Sequence, residues 1–300
     1  MDILRTPDER FEDLPGFPFR PKYLEIPSGE GENLRVHYVD EGPAGAPVVL
    51  LLHGEPSWSY LYRKMIPPLA AAGYRAVAPD MVGFGRSDKP AAREDYTYQR
   101  LVAWTAATIE ALDLQGITLF CQDWGGLIGL RLIAEDGDRF SRLVAANTGL
   151  PIGGEMPEAF FQWQNFSQKV SKMQIGRVLS GGTVSSLSRE VVAAYDAPFP
   201  DESYKAGARV LPALVPTDPG DPEAKINRGL WRKLRKWPKP VLTTFSDSDP
   251  ITGGGEAIFQ RLMPGAKGQP HVTIEAAGHF LQEDKGEELA QLMIDFVQAT

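Results

Sequence analysis

Three residues, Asp123, Asp249 and His279, follow strand-like runs in an order that suits covalent hydrolysis. Asp123 ends the apolar run of Ile117-Thr-Leu-Phe-Cys-Gln-Asp123-Trp-Gly-Gly126 and is flanked by the small residues Cys121, Gly125 and Gly126. A tight strand-to-helix turn lifts the side chain at its apex above a sheet and tolerates only small neighbours, so this reads as a nucleophile elbow. Serine is the usual occupant, but no Gly-x-Ser-x-Gly occurs anywhere in the chain. Alone, Asp123 also fits a helix N-cap. The other two residues favour the catalytic reading. Thr244-Phe-Ser-Asp-Ser-Asp249-Pro-Ile offers Asp249 as the acid of a triad, with Asp247 shaping the turn. Ala276-Ala-Gly-His279-Phe places a histidine at the end of a later strand, as general base. A carboxylate nucleophile suits displacement at saturated carbon, giving an ester whose carbonyl is then attacked by imidazole-activated water. A serine elbow transfers acyl groups, whereas an aspartate elbow transfers alkyl groups. His37, His53 and His271 lack any such context, and the four histidines show no metal-binding spacing. No metal or cofactor is implied.

The elements that must hold these residues follow from alternation. Strands are expected at Arg35–Val39, Pro47–Leu52, Arg75–Ala78, Ile117–Gln122, Arg142–Ala146, Val241–Phe245 and Val272–Glu275. Helices are expected at Leu61–Ala72, Tyr98–Leu112, Gly126–Ala134, Ala257–Met263 and Glu287–Gln298, the last with Leu289, Leu292, Met293, Phe296 and Val297 on one face. This predicts an α/β fold, a mostly parallel eight-stranded sheet flanked by helices. The stretch from Pro151 to Asp221 breaks the alternation. It is aromatic and helical in character and closes on Pro212, Pro216, Pro219 and Pro222. We therefore expect a core of residues 1–150 and 222–300, with residues 151–221 as a helical cap inserted after strand 6. His53-Gly-Glu-Pro-Ser-Trp58 follows the expected strand Pro47–Leu52, where α/β-hydrolases place one oxyanion donor. The backbone N–H groups expected in that role are those of Glu55 and Trp124. Asp80-Met-Val-Gly-Phe-Gly-Arg-Ser-Asp88 mimics a dinucleotide fingerprint but has Asp88 at the third glycine position, so that reading is rejected.

Bulk properties narrow the setting. Of 300 residues, 43% are apolar and 23% charged, ordinary for a packed globular protein. The net charge of -8 disfavours nucleic acid and anionic membranes as partners. The basic stretch Trp231-Arg-Lys-Leu-Arg-Lys-Trp-Pro-Lys239 reads as a solvated helix face near a C-terminal end. Cys121 is the single cysteine, so no intrachain disulfide forms. The charged start, MDILRTPDERF, does not resemble a signal peptide, and a cytoplasmic monomer is expected.

Two alkyl-transfer chemistries compete. An epoxide opens to an alkoxide and wants an acid, usually tyrosine, for which Tyr195 and Tyr204 are the candidates. A halide leaves as a stable anion and needs only N–H donors in a dry pocket. Trp124 directly follows the nucleophile, and Trp163 is the cap's single tryptophan, each with a donor-only indole. Here the chain resembles the haloalkane dehalogenases, through His53-Gly-Glu-Pro-Ser-Trp-Ser-Tyr-Leu-Tyr-Arg-Lys-Met-Ile66, Asp123-Trp-Gly-Gly, Ala194-Tyr-Asp-Ala-Pro-Phe-Pro200 and Gly278-His-Phe. The resemblance covers nearly the whole chain. It implies the subfamily in which a cap tryptophan is the second halide ligand and the acid follows the seventh strand. The sister subfamily has Asn at the Glu55 position and its acid after the sixth strand, where Ala145-Ala-Asn-Thr-Gly149 carries none. It further implies a pocket lined by Leu127, Phe160, Leu211, Pro212, Val215 and Ile251, made roomier where Leu127 and Leu211 replace the aromatics of relatives. The implied partners are a small haloalkane, water and halide. A fluoroacetate dehalogenase would carry arginine after the elbow, and Trp-Gly-Gly stands there instead. A binder without activity would be expected to have an incomplete triad, and here all three members are present.

Overall fold

A computed structural model describes residues 1–300. Eight strands form the main sheet: β1 (Lys22–Pro27), β2 (Asn33–Glu41), β3 (Val48–Leu52), β4 (Arg75–Pro79), β5 (Ile117–Gln122), β6 (Phe140–Ala146), β7 (Val241–Ser246) and β8 (Val272–Ile274). Their spatial order is β8-β7-β6-β5-β3-β4-β2-β1. The β1–β2 and β2–β4 pairs are antiparallel, and all other pairs are parallel. In β3 and β5 every residue is buried, because helices cover both faces of the parallel region. The exposed edge strand β1 alternates weakly, which is why its sequence gave no strand signal. A separate two-residue ribbon pairs Ile3–Leu4 with Lys89–Pro90.

The helices are α1 (Ile66–Ala71), α2 (Tyr98–Ala111), α3 (Trp124–Glu135), α4 (Glu158–Lys169), α5 (Ile175–Gly181), α6 (Arg189–Asp196), α7 (Ala206–Leu214), α8 (Pro222–Leu234), α9 (Glu256–Leu262) and α10 (Leu281–Ala299). The single helix expected over Leu61–Ala72 is instead a 3-10 turn, Ser59–Tyr62, followed by α1. Pro67 and Pro68 explain the division: proline lacks an N–H for a helix interior but suits the first turn. Helix α10 starts six residues earlier than its apolar periodicity predicts, and Lys285 (φ -137°, ψ 35°) kinks it between the two parts.

Helices α4 to α7 lie between β6, the sixth strand of the sheet, and α8. Their apolar faces, including Phe160, Leu179, Tyr195 and Leu211, join the same continuous buried cluster as the sheet. A polar anchor reinforces this packing. Buried Glu283 on α10 accepts two hydrogen bonds from Arg63, at 2.5 and 2.9 Å, and another from the Tyr195 hydroxyl on α6. The Arg63 guanidinium holds the Glu283 carboxyl below its ordinary pKa despite burial.

Candidate active site

The site forms at the C-terminal ends of β3, β5, β7 and β8, where the parallel strands leave a crevice under the inserted helices. Asp123 stands between β5 and α3 with φ 50° and ψ -127°. A non-glycine residue in this region stores roughly 1–3 kcal/mol of strain, so its surroundings must hold it there. Three small residues make the turn possible. A Cβ on Gly125 would lie 2.0 Å from the Leu52 carbonyl oxygen, one on Gly126 2.0 Å from Thr148 Oγ1, and one on Gly54 2.4 Å from Asp123 Cβ. The backbone of Asp123 is fixed on both sides. Its N–H donates to the Asn147 carbonyl at 3.0 Å, and its carbonyl accepts from the Thr148 hydroxyl at 2.7 Å.

The Glu55 N–H donates to Asp123 Oδ1 at 2.7 Å. Oδ2 lies 3.5 Å from His279 Nε2. On its other side, His279 Nδ1 sits 2.9 Å from Asp249 Oδ2, whose side chain is fully buried. Asp249 also accepts from the N–H groups of Ile251 at 2.9 Å and Thr252 at 3.2 Å, and from the Thr252 hydroxyl. Burial alone would push its carboxyl upward, but His279 and these donors hold it at about 2. Burial likewise opposes a charge on His279, yet Asp249 and Asp123 together raise it to about 10. Asp247 accepts from the N–H groups of Ala276 and Ala277 and from the Ser248 hydroxyl, which braces the turn.

A cavity of about 250 Å³ opens above Asp123, below the roughly 300–1,000 Å³ of drug-sized ligand pockets. Trp124, Phe160, Trp163, Pro212, Val215 and Ile251 line it, with Asp123, His279 and Glu55 at its floor. Leu127 and Leu211, expected in this wall, do not reach it. Leu211 is fully buried one residue before Pro212, and successive residues of a helix point about 100° apart. Leu127 is buried on α3, whose carbonyl there accepts from the Tyr98 hydroxyl. The expectation of a roomier pocket therefore loses the two residues it rested on. The wall instead includes Val178, Gly182, Thr183 and Val184, a stretch of small residues that carried no chemical signal in sequence.

The indole N–H groups of Trp104, Trp231 and Trp237 donate to main-chain carbonyls and that of Trp58 is buried without a partner, whereas Trp124 and Trp163 line the cavity. Trp124 packs edge-on against Tyr98, and Trp163 stacks on Phe166 and comes within hydrogen-bonding reach of the Glu55 carboxyl. That carboxyl is buried, and its Oε1 has no partner. Burial first, and the nearby Asp123 charge second, raise it well above the ordinary glutamate range. Neither Tyr195 nor Tyr204 lines the cavity, and Tyr195 is committed to Glu283.

Two polar residues at the site went unread in sequence. Asn147, at φ 36°, donates to Ser246 Oγ and to the carbonyls of Gly278 and His279, and accepts from the Ser246 N–H. Gln122 donates to the His279 carbonyl at 3.2 Å and lies 3.1 Å from His279 Nε2. Their only signal was a polar side chain at the end of a buried apolar strand.

The family described as the alpha/beta hydrolase fold matches residues 47–286. The haloalkane dehalogenase of Psychrobacter cryohalolentis is 59% identical over 298 residues, covering 99% of this chain and 98% of that protein. Haloalkane dehalogenase 1 of Mycobacterium tuberculosis is 54% identical over the whole of both chains. Among solved structures, the tetrameric haloalkane dehalogenase DpaA from Paraglaciecola agarilytica NO2 superposes with a TM-score of 0.89 at 38% identity, covering 97% of each chain. With identities of this size over its full length, and with an aspartate at the elbow, the chain belongs to the haloalkane dehalogenases of the α/β-hydrolase fold.

Proposed function

We propose that the chain hydrolyses small haloalkanes to a primary alcohol, halide and a proton in two covalent steps. Asp123 Oδ2 attacks the halogen-bearing carbon, the carbon–halogen bond breaks, and the halide leaves between the Trp124 and Trp163 indole N–H groups. His279 then takes a proton from water, and the hydroxide adds to the ester carbonyl carbon of Asp123. The developing oxyanion on Oδ1 is held by the Glu55 N–H, joined by that of Trp124. One such donor is typically worth roughly 3–4 kcal/mol in a transition state. Collapse breaks the bond between the carbonyl carbon and the alkyl oxygen, and the alcohol leaves with the proton from His279. Asp249 fixes the imidazole tautomer and balances the imidazolium.

The observation that carries this reading is the line from the Glu55 N–H through Asp123 and His279 to Asp249 beneath an apolar cavity. Charge balance supports its order. Forming the ester neutralises Asp123, which removes one of the two carboxylates that favour the imidazolium. We assign residues 151–221 as the cap, and the paired tryptophans as the halide ligands of the cap-tryptophan subfamily. All these residues come from one chain, so a monomer suffices as the catalytic unit, in a cytoplasmic setting. The test is halide release from 1-bromobutane and 1,2-dibromoethane beside diol formation from styrene oxide, with Asp123→Asn as control. Halide release abolished by the substitution is expected. Diol formation without halide release would move the assignment to epoxide hydrolysis.

A further inference from the structure

The residue before the nucleophile has a side chain that the two-step scheme leaves unused. Gln122 is fully buried at the end of β5, and its amide reaches across to the loop after β8. Nε2 lies 3.2 Å from the His279 carbonyl oxygen and 3.1 Å from the imidazole Nε2, closer to that nitrogen than Asp123 Oδ2 is. The orientation of the amide is fixed by its partners. An oxygen in place of Gln122 Nε2 would face a carbonyl oxygen at 3.2 Å with no proton between them, so the NH2 group occupies that side. Its second hydrogen then faces the imidazole. Neutral imidazole offers a lone pair there, because Nδ1 carries its proton toward Asp249. Imidazolium offers a second N–H, and two donors would oppose each other.

We propose that Gln122 is a positioning residue that keeps His279 neutral at Nε2, ready to accept the proton of the hydrolytic water. The charged or titratable groups facing His279 are Asp249 after β7, Asp123 after β5 and Glu55 after β3. Both aspartates favour imidazolium, and burial raises the Glu55 carboxyl well above its ordinary pKa. Once the ester has silenced Asp123, the Gln122 amide opposes the remaining pull of Asp249. Incoming water competes for the same lone pair, while the bond to the His279 carbonyl keeps the amide in place.

The inference rests on the two-step reading, so its test separates the steps. Gln122→Met, of similar length but without a donor, is mixed with 1-bromobutane in single turnover, and halide burst and ester decay are followed across pH. The burst should change less than about twofold. The acid limb of ester decay should move up by about one pH unit, a tenfold loss below the limb that is regained above it. Gln122→Glu, which sets a carboxylate against the imidazole, should move the limb further in the same direction. An unmoved limb in both folded variants, or one moved to lower pH, overturns the proposal while the burst leaves the two-step scheme standing. No burst in the unsubstituted protein removes the scheme itself.

Discussion

Replacing Asp249 by Asn separates the acid's electrostatic role from its place in the fold. The substitution keeps the shape and removes the charge 2.9 Å from His279 Nδ1. A unit charge about 3 Å away at an effective dielectric near 20 contributes roughly 5 kcal/mol. The rise of His279 to about 10 from its ordinary 6.5 corresponds to about 5 kcal/mol, divided between Asp249 and Asp123. The imidazolium formed during ester hydrolysis should therefore lose about 3–5 kcal/mol, slowing that step roughly 10²–10⁴-fold. Alkylation needs no proton transfer and should change only a few-fold. The fold pays a smaller cost. Asp249 takes donors on both oxygens, so an amide NH2 must face either the Ile251 N–H or the Thr252 and His279 donors. One opposed donor costs about 1–3 kcal/mol of stability. Rapid-quench halide measurement with intact-protein mass spectrometry reads both steps. The expected result is a full halide burst, an accumulated alkyl-enzyme and a collapsed steady state. Asp247→Asn, touching only the turn, should leave turnover within about threefold of the unsubstituted protein, as surface polar changes do. Turnover preserved in Asp249→Asn but lost in Asp247→Asn would refute the assignment of the acid.

Trp163→Phe keeps the stacking partner of Phe166 but deletes its donor, so bromide affinity followed by tryptophan fluorescence should fall about tenfold or more, the worth of one charge-assisted hydrogen bond. Unchanged affinity would return Trp163 to packing. Glu55→Gln replaces a buried carboxyl by a neutral isostere. Because its folded pKa lies above the unfolded value, Glu55 contributes stability that is complete below about pH 4.3 and is lost as pH rises toward the folded value. The melting temperature of Glu55→Gln relative to the unsubstituted protein should therefore climb between pH 5 and pH 9. A difference that does not vary with pH would show that Glu55 ionises normally. Gly125→Ala would set a Cβ 2.0 Å from the Leu52 carbonyl oxygen and should cost at least about 1–3 kcal/mol, seen as a lowered melting temperature together with lost halide release.

The parts of this site that were legible in sequence lie where local geometry restricts residue type. Asp123 was visible because the elbow demands small residues at Cys121, Gly125 and Gly126, and the structure shows what a Cβ would strike at the two glycines. The buried strands were visible because both faces are covered, leaving unbroken apolar runs such as Val48–Leu52. Contacts made across the chain were not. The His279 carbonyl draws donors from Gln122 and Asn147, 157 and 132 residues away, and no local pattern marks such a partnership. Of the six expected lining residues, Leu127 and Leu211 were misplaced for a similar reason. Which of Leu211 and Pro212 faces the cavity depends on the rotation of α7 against the sheet, and apolar character alone does not encode it.

The electrostatics of the site tie the basicity of His279 to the charge on Asp123. Three carboxyl groups crowd one imidazole, and each meets a different fate. Asp249 is held well toward its anion by four groups, His279, the Ile251 and Thr252 N–H groups and the Thr252 hydroxyl, with His279 acting through its charge as well as its hydrogen bond. Glu55 has an unpartnered oxygen, and burial and Asp123 raise its pKa well above the ordinary range. Asp123 lies between them, with one oxygen held by the Glu55 N–H and the other toward His279 and the cavity. A second ionised carboxyl at Glu55 would place a charge beside the departing halide and oppose it. Before alkylation both Asp249 and Asp123 favour the imidazolium, and the Gln122 amide opposes them. Esterification removes the Asp123 charge and so weakens the pull toward imidazolium when there is an ester to hydrolyse. Trp163 lies at the cavity beside Glu55, where its indole donor would meet the departing halide.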